Sequence, residues 1–217
     1  MSKSFDNVKV IIVDKNKKYL VGRRYDSEIK YSTLGGTREE GEDIFDVLYR
    51  EFFEETSQVL HFDYKNKTLY LVDDKRKIPL KLVRKIQINK QIYFILSTEY
   101  DLSKYIDGWK NEFIQNQYEL IVQTINKIRK KTNLIKDLEW IKFIFRYKDN
   151  FYNQSFISIL RKRGLDKSKI VSILDKLTEL SYYLEMDDLE LVTKDELIAF
   201  DGLYEKDLSK IIQKLNK

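Results

Sequence analysis

The sequence predicts an α/β (α+β) fold: a mixed sheet with one amphipathic helix set among its strands, followed by a basic helical segment. Three observations carry that expectation. Short runs rich in β-branched and aromatic residues, bounded by turn-forming residues, dominate the chain before Tyr100. Within that stretch, from Asp43, apolar residues recur at three- and four-residue spacing instead of alternating. After Tyr100 the helical spacing takes over, interrupted by one further short β-rich run near the end.

Taken in order, Val8–Val13 is β-rich, and Asp14-Lys-Asn-Lys-Lys18 reads as a hairpin turn into Tyr19–Arg24. Ile29–Leu34 is a third extended piece, broken by Gly35-Gly36 before the polar loop Thr37–Gly41. From Asp43 to Thr56 a helix is expected, its apolar stripe formed by Ile44, Val47, Leu48 and Phe52. Leu69–Val72, Ile78–Ile88 and Gln91–Thr98 return to strand character. Trp109 to Lys131 has helical spacing through Phe113, Leu120, Ile121, Ile125 and Ile128, whereas Leu138–Phe145 suits helix or strand. Ser155–Arg163 and Lys167–Leu180 predict two helices, with Gly164 as a C-cap and Asp166 as an N-cap. Leu189–Val192 reads as a final strand, Lys194–Phe200 as a short helix, and the stretch from about Glu205 to Leu215 as a terminal helix.

The 217 residues suffice for one sizeable core, or a core plus a small appended unit. With 35% charged and 42% apolar residues, the composition is that of a soluble globular protein. No apolar run approaches the ~20 residues of a membrane span, so no membrane partner is expected. Met-Ser-Lys-Ser-Phe5 lacks the apolar stretch of a signal peptide, and an intracellular, cytoplasmic location is expected. The absence of cysteine excludes disulfides, thiol nucleophiles and zinc–cysteine sites. The net charge of +5 is uneven: Lys104–Leu180 holds 16 Lys or Arg against 9 Asp or Glu. Such a segment suits a polyanionic partner, or simply solvates helical faces.

The chemistry-bearing stretch is Gly36-Thr-Arg-Glu-Glu-Gly-Glu42, then seven residues, then Arg50-Glu51-Phe52-Phe53-Glu54-Glu55. On a helix Glu51, Glu54 and Glu55 share a face, because positions three and four apart are neighbours. Three carboxylates so close repel one another unless a cation lies between them. Arg50 can pair with Glu54, but one arginine cannot balance three acids. A hard divalent ion such as Mg²⁺ can, since it prefers oxygen ligands and keeps water and phosphate in its shell. Glu42 can fold back onto the cluster, and Gly35-Gly36 lets backbone approach anionic groups closely. The plainer alternative is an acidic, solvated helix face.

The stretch Gly36–Gln58 resembles the Nudix box, G-x5-E-x7-R-E-U-x-E-E-x-G-U, with U a bulky apolar residue. Gly36, Glu42, Arg50, Glu51, Phe52, Glu54 and Glu55 fall in place. Ser57 stands where the pattern has glycine and Gln58 where it has an apolar residue, with Val59 or Leu60 available as the missing anchor. A serine in the left-handed turn that ends the helix costs about 1 kcal/mol or shifts the turn. Tyr19–Arg24 and the Gly35-Gly36 pair also resemble the family's second strand and paired glycine.

The resemblance implies a Nudix-type α/β/α sandwich and hydrolysis of a diphosphate linkage in a nucleoside diphosphate derivative or related nucleotide. It implies Mg²⁺ or Mn²⁺ held by Glu51, Glu54 and Glu55, with the Gly35 carbonyl and Glu42. Glu54 or a neighbour would assist deprotonation of the attacking water, with Glu51 and Arg50 beside Glu54 in catalysis and Arg50 orienting the glutamates. Arg23, Arg24 and Gly36 are the candidates for substrate contact. Glu185, Asp187, Asp188 and Glu190 are candidates for a further acid, ahead of a closing strand and helix start at Leu191–Leu197. That alignment makes residues 1–100 and 181–217 the core, with 101–180 inserted. The alternative closes the core at Leu138–Ile141, giving 1–149 plus an appended 150–217. Two other functions are weighed. One is the same chemistry on capped RNA, bound by Arg129-Lys-Lys131 and Arg161-Lys-Arg163 interleaved with Trp140, Phe143, Phe145 and Tyr147. The other is a non-catalytic Nudix-fold binding or regulatory protein, which the intact glutamates oppose. His61, the one histidine, is read as structural.

Overall fold

A computed structural model describes residues 5–25, 29–65, 68–132, 154–162, 164–184, 186 and 188–199. Two compact units emerge, Met1–Phe113 with Met186–Lys217, and Ile114–Glu185. The expected terminal helix at 205–215 and the ambiguous stretch 138–145, with the alternative closing strand at Leu138–Ile141, lie outside the described residues. So do Arg163, Trp140, Phe143, Phe145, Tyr147, Glu185 and Asp187, and the side chains of Arg24, Arg129, Lys130 and Lys131.

In the first unit β1 (Asn7–Val13) turns into β2 (Tyr19–Tyr25). The turn is set by Asp14, whose buried carboxylate accepts the Asn16 and Lys18 N–H groups at 2.8 and 2.9 Å, with Lys17 left-handed at φ 61°. Side-chain acceptance of nearby backbone N–H groups is why Asp favours such corners. β3 spans Ile29–Ser32, shorter than the Ile29–Leu34 expected, because Leu34 has left β2 and bridges Val10 of β1 instead. Helix α1 (Ile44–Glu55) follows, then β4 (His61–Lys65), β5 (Thr68–Val72), β6 (Lys77–Ile88) and β7 (Gln91–Ser97). β8 (Asp188–Val192) and α5 (Lys194–Ala199) complete the unit.

The sheet runs β3-β2-β1-β7-β6-β5-β4, with β8 pairing β2 antiparallel from Tyr19↔Val192 to Arg23↔Asp188. β1 and β7 are parallel, while the other pairs are antiparallel, so the sheet is mixed as expected. Strand alternation then decides what faces what. Val8, Val10 and Ile12 of β1 pack with Val47, Leu48 and Phe52 of α1, and Phe94 and Leu96 of β7 join them. Each such fully buried side chain contributes about 1.5–3 kcal/mol. The alternate residues Ile11, Val21, Tyr93 and Ile95 form a second cluster with Leu197 of α5. Helices therefore cover both faces of the sheet, the α/β/α arrangement.

Helix α2 (Ile106–Thr132) starts in the first unit, where the Trp109 indole N–H donates to the buried Asp73 carboxylate at 2.8 Å. In the second unit Ile121, Ile125 and Ile128 pack with Leu160 of α3 (Gln154–Lys162) and with Ile170, Ile173, Leu174 and Leu177 of α4 (Lys167–Tyr183). Gly164, at φ 80°, follows α3, and Asp166 accepts the Lys169 N–H at 2.9 Å to cap α4. Among the described residues no helix is long and apolar enough to cross a membrane.

Candidate active site

Helix α1 starts at a reciprocal cap: Asp43 accepts the Phe45 and Asp46 N–H groups at 2.7 and 3.0 Å, and Asp46 accepts the Asp43 N–H at 2.9 Å. This satisfies otherwise orphaned donors and fixes where the helix begins. Its apolar stripe faces β1 and β7, which fixes the rotation of the glutamates. The far end closes with Ser57 and Gln58 both left-handed, φ 49° and 67°. The chain thus takes the turn for which a glycine is suited, without one. Thr56 steadies it: its buried hydroxyl lies 2.8 Å from the Phe52 carbonyl and accepts the Leu60 N–H at 3.2 Å. Val59 and Leu60 are buried in the α1-facing core, supplying the apolar anchor that Gln58 does not.

Arg50 organises the acids. Its Nε and Nη2 donate to the two Glu42 oxygens at 2.6 and 3.0 Å, and its Nη1 reaches Glu51 at 2.9 Å and Glu54 at 3.2 Å. Nη2 also donates to the Thr37 carbonyl at 2.9 Å, tying the loop to the helix. Glu42 thus folds back from its loop onto the helical acids. The hydrogen bonds from Arg50 hold the Glu42 carboxyl below its ordinary range. Glu54 goes the other way: burial first, with the Glu51 charge adding to it, raises its carboxyl although Arg50 opposes the shift. Desolvation penalises the charged form, and a neighbouring like charge does the same.

Glu55 stands apart. It is 3% exposed and accepts the Gly35 N–H. The Gly35 carbonyl in turn accepts from the Lys9 ammonium. Gly35 has φ 120°, and a Cβ there would collide with the Val8 carbonyl, while one on Gly36 would collide with the Glu51 carboxylate. Gly35 must lack a side chain, since the loop presses against the β1 backbone there at positive φ, whereas at Gly36 the end of the Glu51 side chain would have to move.

A second charged cluster lies on β2 and β8. Arg23 pairs with Asp188 at 2.8 Å and with Glu190, and Lys110 of α2 approaches the same two acids at 3.4 and 3.6 Å. The Tyr31 hydroxyl, pushed up to about 12 by burial and then by its hydrogen bond to Glu190, joins them. Asp188 and Glu190 are therefore engaged with cations, and Arg23 with acids. Lys9, Lys110 and Tyr31 are contacts that the sequence reading missed. For Lys9 the signal was present, as a lysine between the apolar Val8 and Val10. His61 is exposed at the start of β4, edge-on to Phe53.

Three carboxylates thus crowd one guanidinium, with Glu55 beyond them on Gly35. Their chemistry suits a hard divalent cation, although their oxygens turn toward Arg50 and Gly35 rather than one common point. Among the described residues no group of three or more His, Cys, Asp or Glu is placed to hold an ion.

An acid-bearing helix, joined through a paired-glycine loop to a mixed sheet with helices on both faces, defines the class. Residues 3–103 match the family model of the NUDIX domain, and this part of the chain is a NUDIX domain, of the Nudix hydrolase family. Among solved structures the chain is similar to the MutT protein from Methanosarcina mazei Go1, at 17% identity, with 46% of this chain and 67% of that one covered and a TM-score of 0.26. No match is found among curated proteins.

Proposed function

We propose that the NUDIX domain hydrolyses a diphosphate linkage in a nucleoside diphosphate derivative or related nucleotide, with Mg²⁺ or Mn²⁺ as cofactor. The observation that carries this reading is the surplus of carboxylate around Arg50: Glu42, Glu51 and Glu54 share it, and Glu55 lies beyond on Gly35. Glu51, Glu54 and Glu55, with Glu42 and the Gly35 carbonyl, would hold the ion, which neutralises diphosphate charge and acidifies water. Arg50 orients Glu51 and Glu54. The Glu54 carboxylate, raised by burial, is the group best suited to take the proton of the attacking water. Gly36 lets substrate oxygens near the backbone. Arg23 reaches a substrate phosphate by exchanging Asp188 and Glu190 for another anion, and Arg24 follows it on β2.

The core is proposed to comprise residues 1–100 and 181–217, with 101–180 inserted. The pairing of β8 with β2 supports this over a core of 1–149 with 150–217 appended. The test is a hydrolysis screen with Mg²⁺ or Mn²⁺ across nucleotide sugars, NADH, ADP-ribose, dinucleoside polyphosphates, nucleoside triphosphates and capped RNA. Cleavage of at least one nucleotide, abolished by chelator and by Glu54→Gln, is expected. Turnover of none, with either metal, overturns the proposal.

A further inference from the structure

The Gly35 residue is held by charged side chains at both its polar atoms. Leu34 and Gly36 give their carbonyls to β1, accepting the Val10 and Val8 N–H groups at 2.8 and 3.0 Å. The carbonyl between them, that of Gly35, is left to a side chain and accepts from the Lys9 ammonium. The Gly35 N–H donates to the buried Glu55 carboxylate. Gly35 is itself buried, and Lys9 is half-buried between Val8 and Val10. Among the described residues no carboxylate pairs with Lys9, so its charge leans on a neutral partner. Arg50 differs: it meets three carboxylates in charge-assisted bonds, which are roughly twice as strong as neutral ones.

The acids around α1 suit a divalent ion by their chemistry but do not converge in their arrangement, and Lys9 is one source of that disagreement. A carbonyl oxygen has two lone pairs, but an ammonium and a divalent cation on one oxygen would stand within a few ångströms of each other. Their repulsion grows as the separation shrinks, and burial of Gly35 limits the screening that water and salt supply. Lys9 is the cation with less to lose. It gives up one bond to a neutral carbonyl, its stem is flexible, and its ammonium is strongly hydrated once released.

We propose that the Lys9 ammonium and the divalent ion are alternative occupants of the Gly35 carbonyl. Lys9 must let go before that oxygen can serve the ion, and so it sets how tightly the ion is held. It is a positioning residue that acts through Gly35. This role rests on the metal reading given above.

The test follows the Gly35 carbonyl directly. Gly35-Gly36 is the one Gly-Gly pair in the sequence, so in a full chain made with glycine labelled at carbonyl carbon and nitrogen, triple-resonance NMR sees that carbonyl alone. Before Mg²⁺ is added, the signals of the parent and of Lys9→Met should differ, because the ammonium bond is gone. As Mg²⁺ is titrated they should converge, since the same ion then occupies the oxygen in both. Calorimetry should show Lys9→Met taking Mg²⁺ at least about tenfold more tightly, the equivalent of about 1.4 kcal/mol. Lys9→Leu should behave as Lys9→Met does, and serves if the first variant misfolds. Three results overturn this role and leave the metal reading standing: equal affinities, saturated signals as far apart as before, or a parental carbonyl unmoved while Mg²⁺ binds. No binding heat in either protein, with Mg²⁺ or Mn²⁺, overturns the metal reading and this role together.

Discussion

Arg50 donates to Glu42, Glu51 and Glu54 together, so each acid sits in an environment that its neighbours set. The consequences differ in sign. Glu54 has its carboxyl raised, so it favours folding in the protonated form. That contribution is fully present below its unfolded-state pKa and lost as pH rises through the folded-state one. Ionised Glu54 therefore costs stability at neutral pH. Glu54→Gln is expected to raise Tm there, in chelator, while lowering turnover by about 100-fold or more. A Tm at or below that of the parent protein refutes this. Glu42, held low by Arg50, stabilises above its unfolded-state pKa and loses that contribution as pH falls through the folded-state one. Glu42→Gln should lower Tm at neutral pH and converge on the parent in acid; a gap independent of pH argues against it. The approach of Glu51 to Glu54 was legible in the sequence, because helical periodicity puts them on one face, while Glu42 reaches them from its loop. The Lys9 contact with Gly35 and the capture of Arg23 by Asp188 and Glu190 were not, since they depend on which strands adjoin.

The end of α1 shows how an element tolerates a wrong residue. Ser57 and Gln58 hold left-handed conformations consecutively, and Thr56, buried at 0% exposure, anchors the turn with its hydroxyl. The left-handed region costs a residue with a Cβ roughly 1 kcal/mol, part of which glycine returns through its larger unfolded-state entropy. Ser57→Gly should therefore stabilise by about 0.5 kcal/mol, read by urea unfolding, with turnover unchanged. A destabilised variant would mean that the Ser57 side chain holds the turn. The departure from glycine was plain in the sequence; that the turn survives was not, because its support comes from Thr56, Val59 and Leu60 together. The strands were legible from composition. The shortened β3 was not, because Leu34 leaves β2 for β1, and local propensity carries no record of that exchange.

Across the molecule, the proposed metal site would couple ion binding to folding. An ion that binds only the folded chain stabilises it by mass action, by about 2.7 kcal/mol at a hundred times its dissociation constant. Millimolar Mg²⁺ or Mn²⁺ should raise the Tm of the parent and leave that of a Glu51→Gln, Glu54→Gln, Glu55→Gln triple variant unmoved. A parental melt indifferent to both ions counts against the site. The layered fold was readable from the alternation of periods along the chain. The partner of the last strand was not, since nothing local in Asp188–Val192 names β2.

That pairing makes synthesis a matter of waiting. β2 ends at Tyr25 and its partner begins at Asp188, some 160 residues later. At about 5–20 residues per second, a ribosome takes roughly 8–30 s to cover that interval. Throughout it the nascent β2 has no β8 to pair with, and a bare strand edge is what chaperones shield and aggregates recruit. Yield in a cell should therefore depend on translation speed and holdase supply more steeply than the finished fold alone suggests.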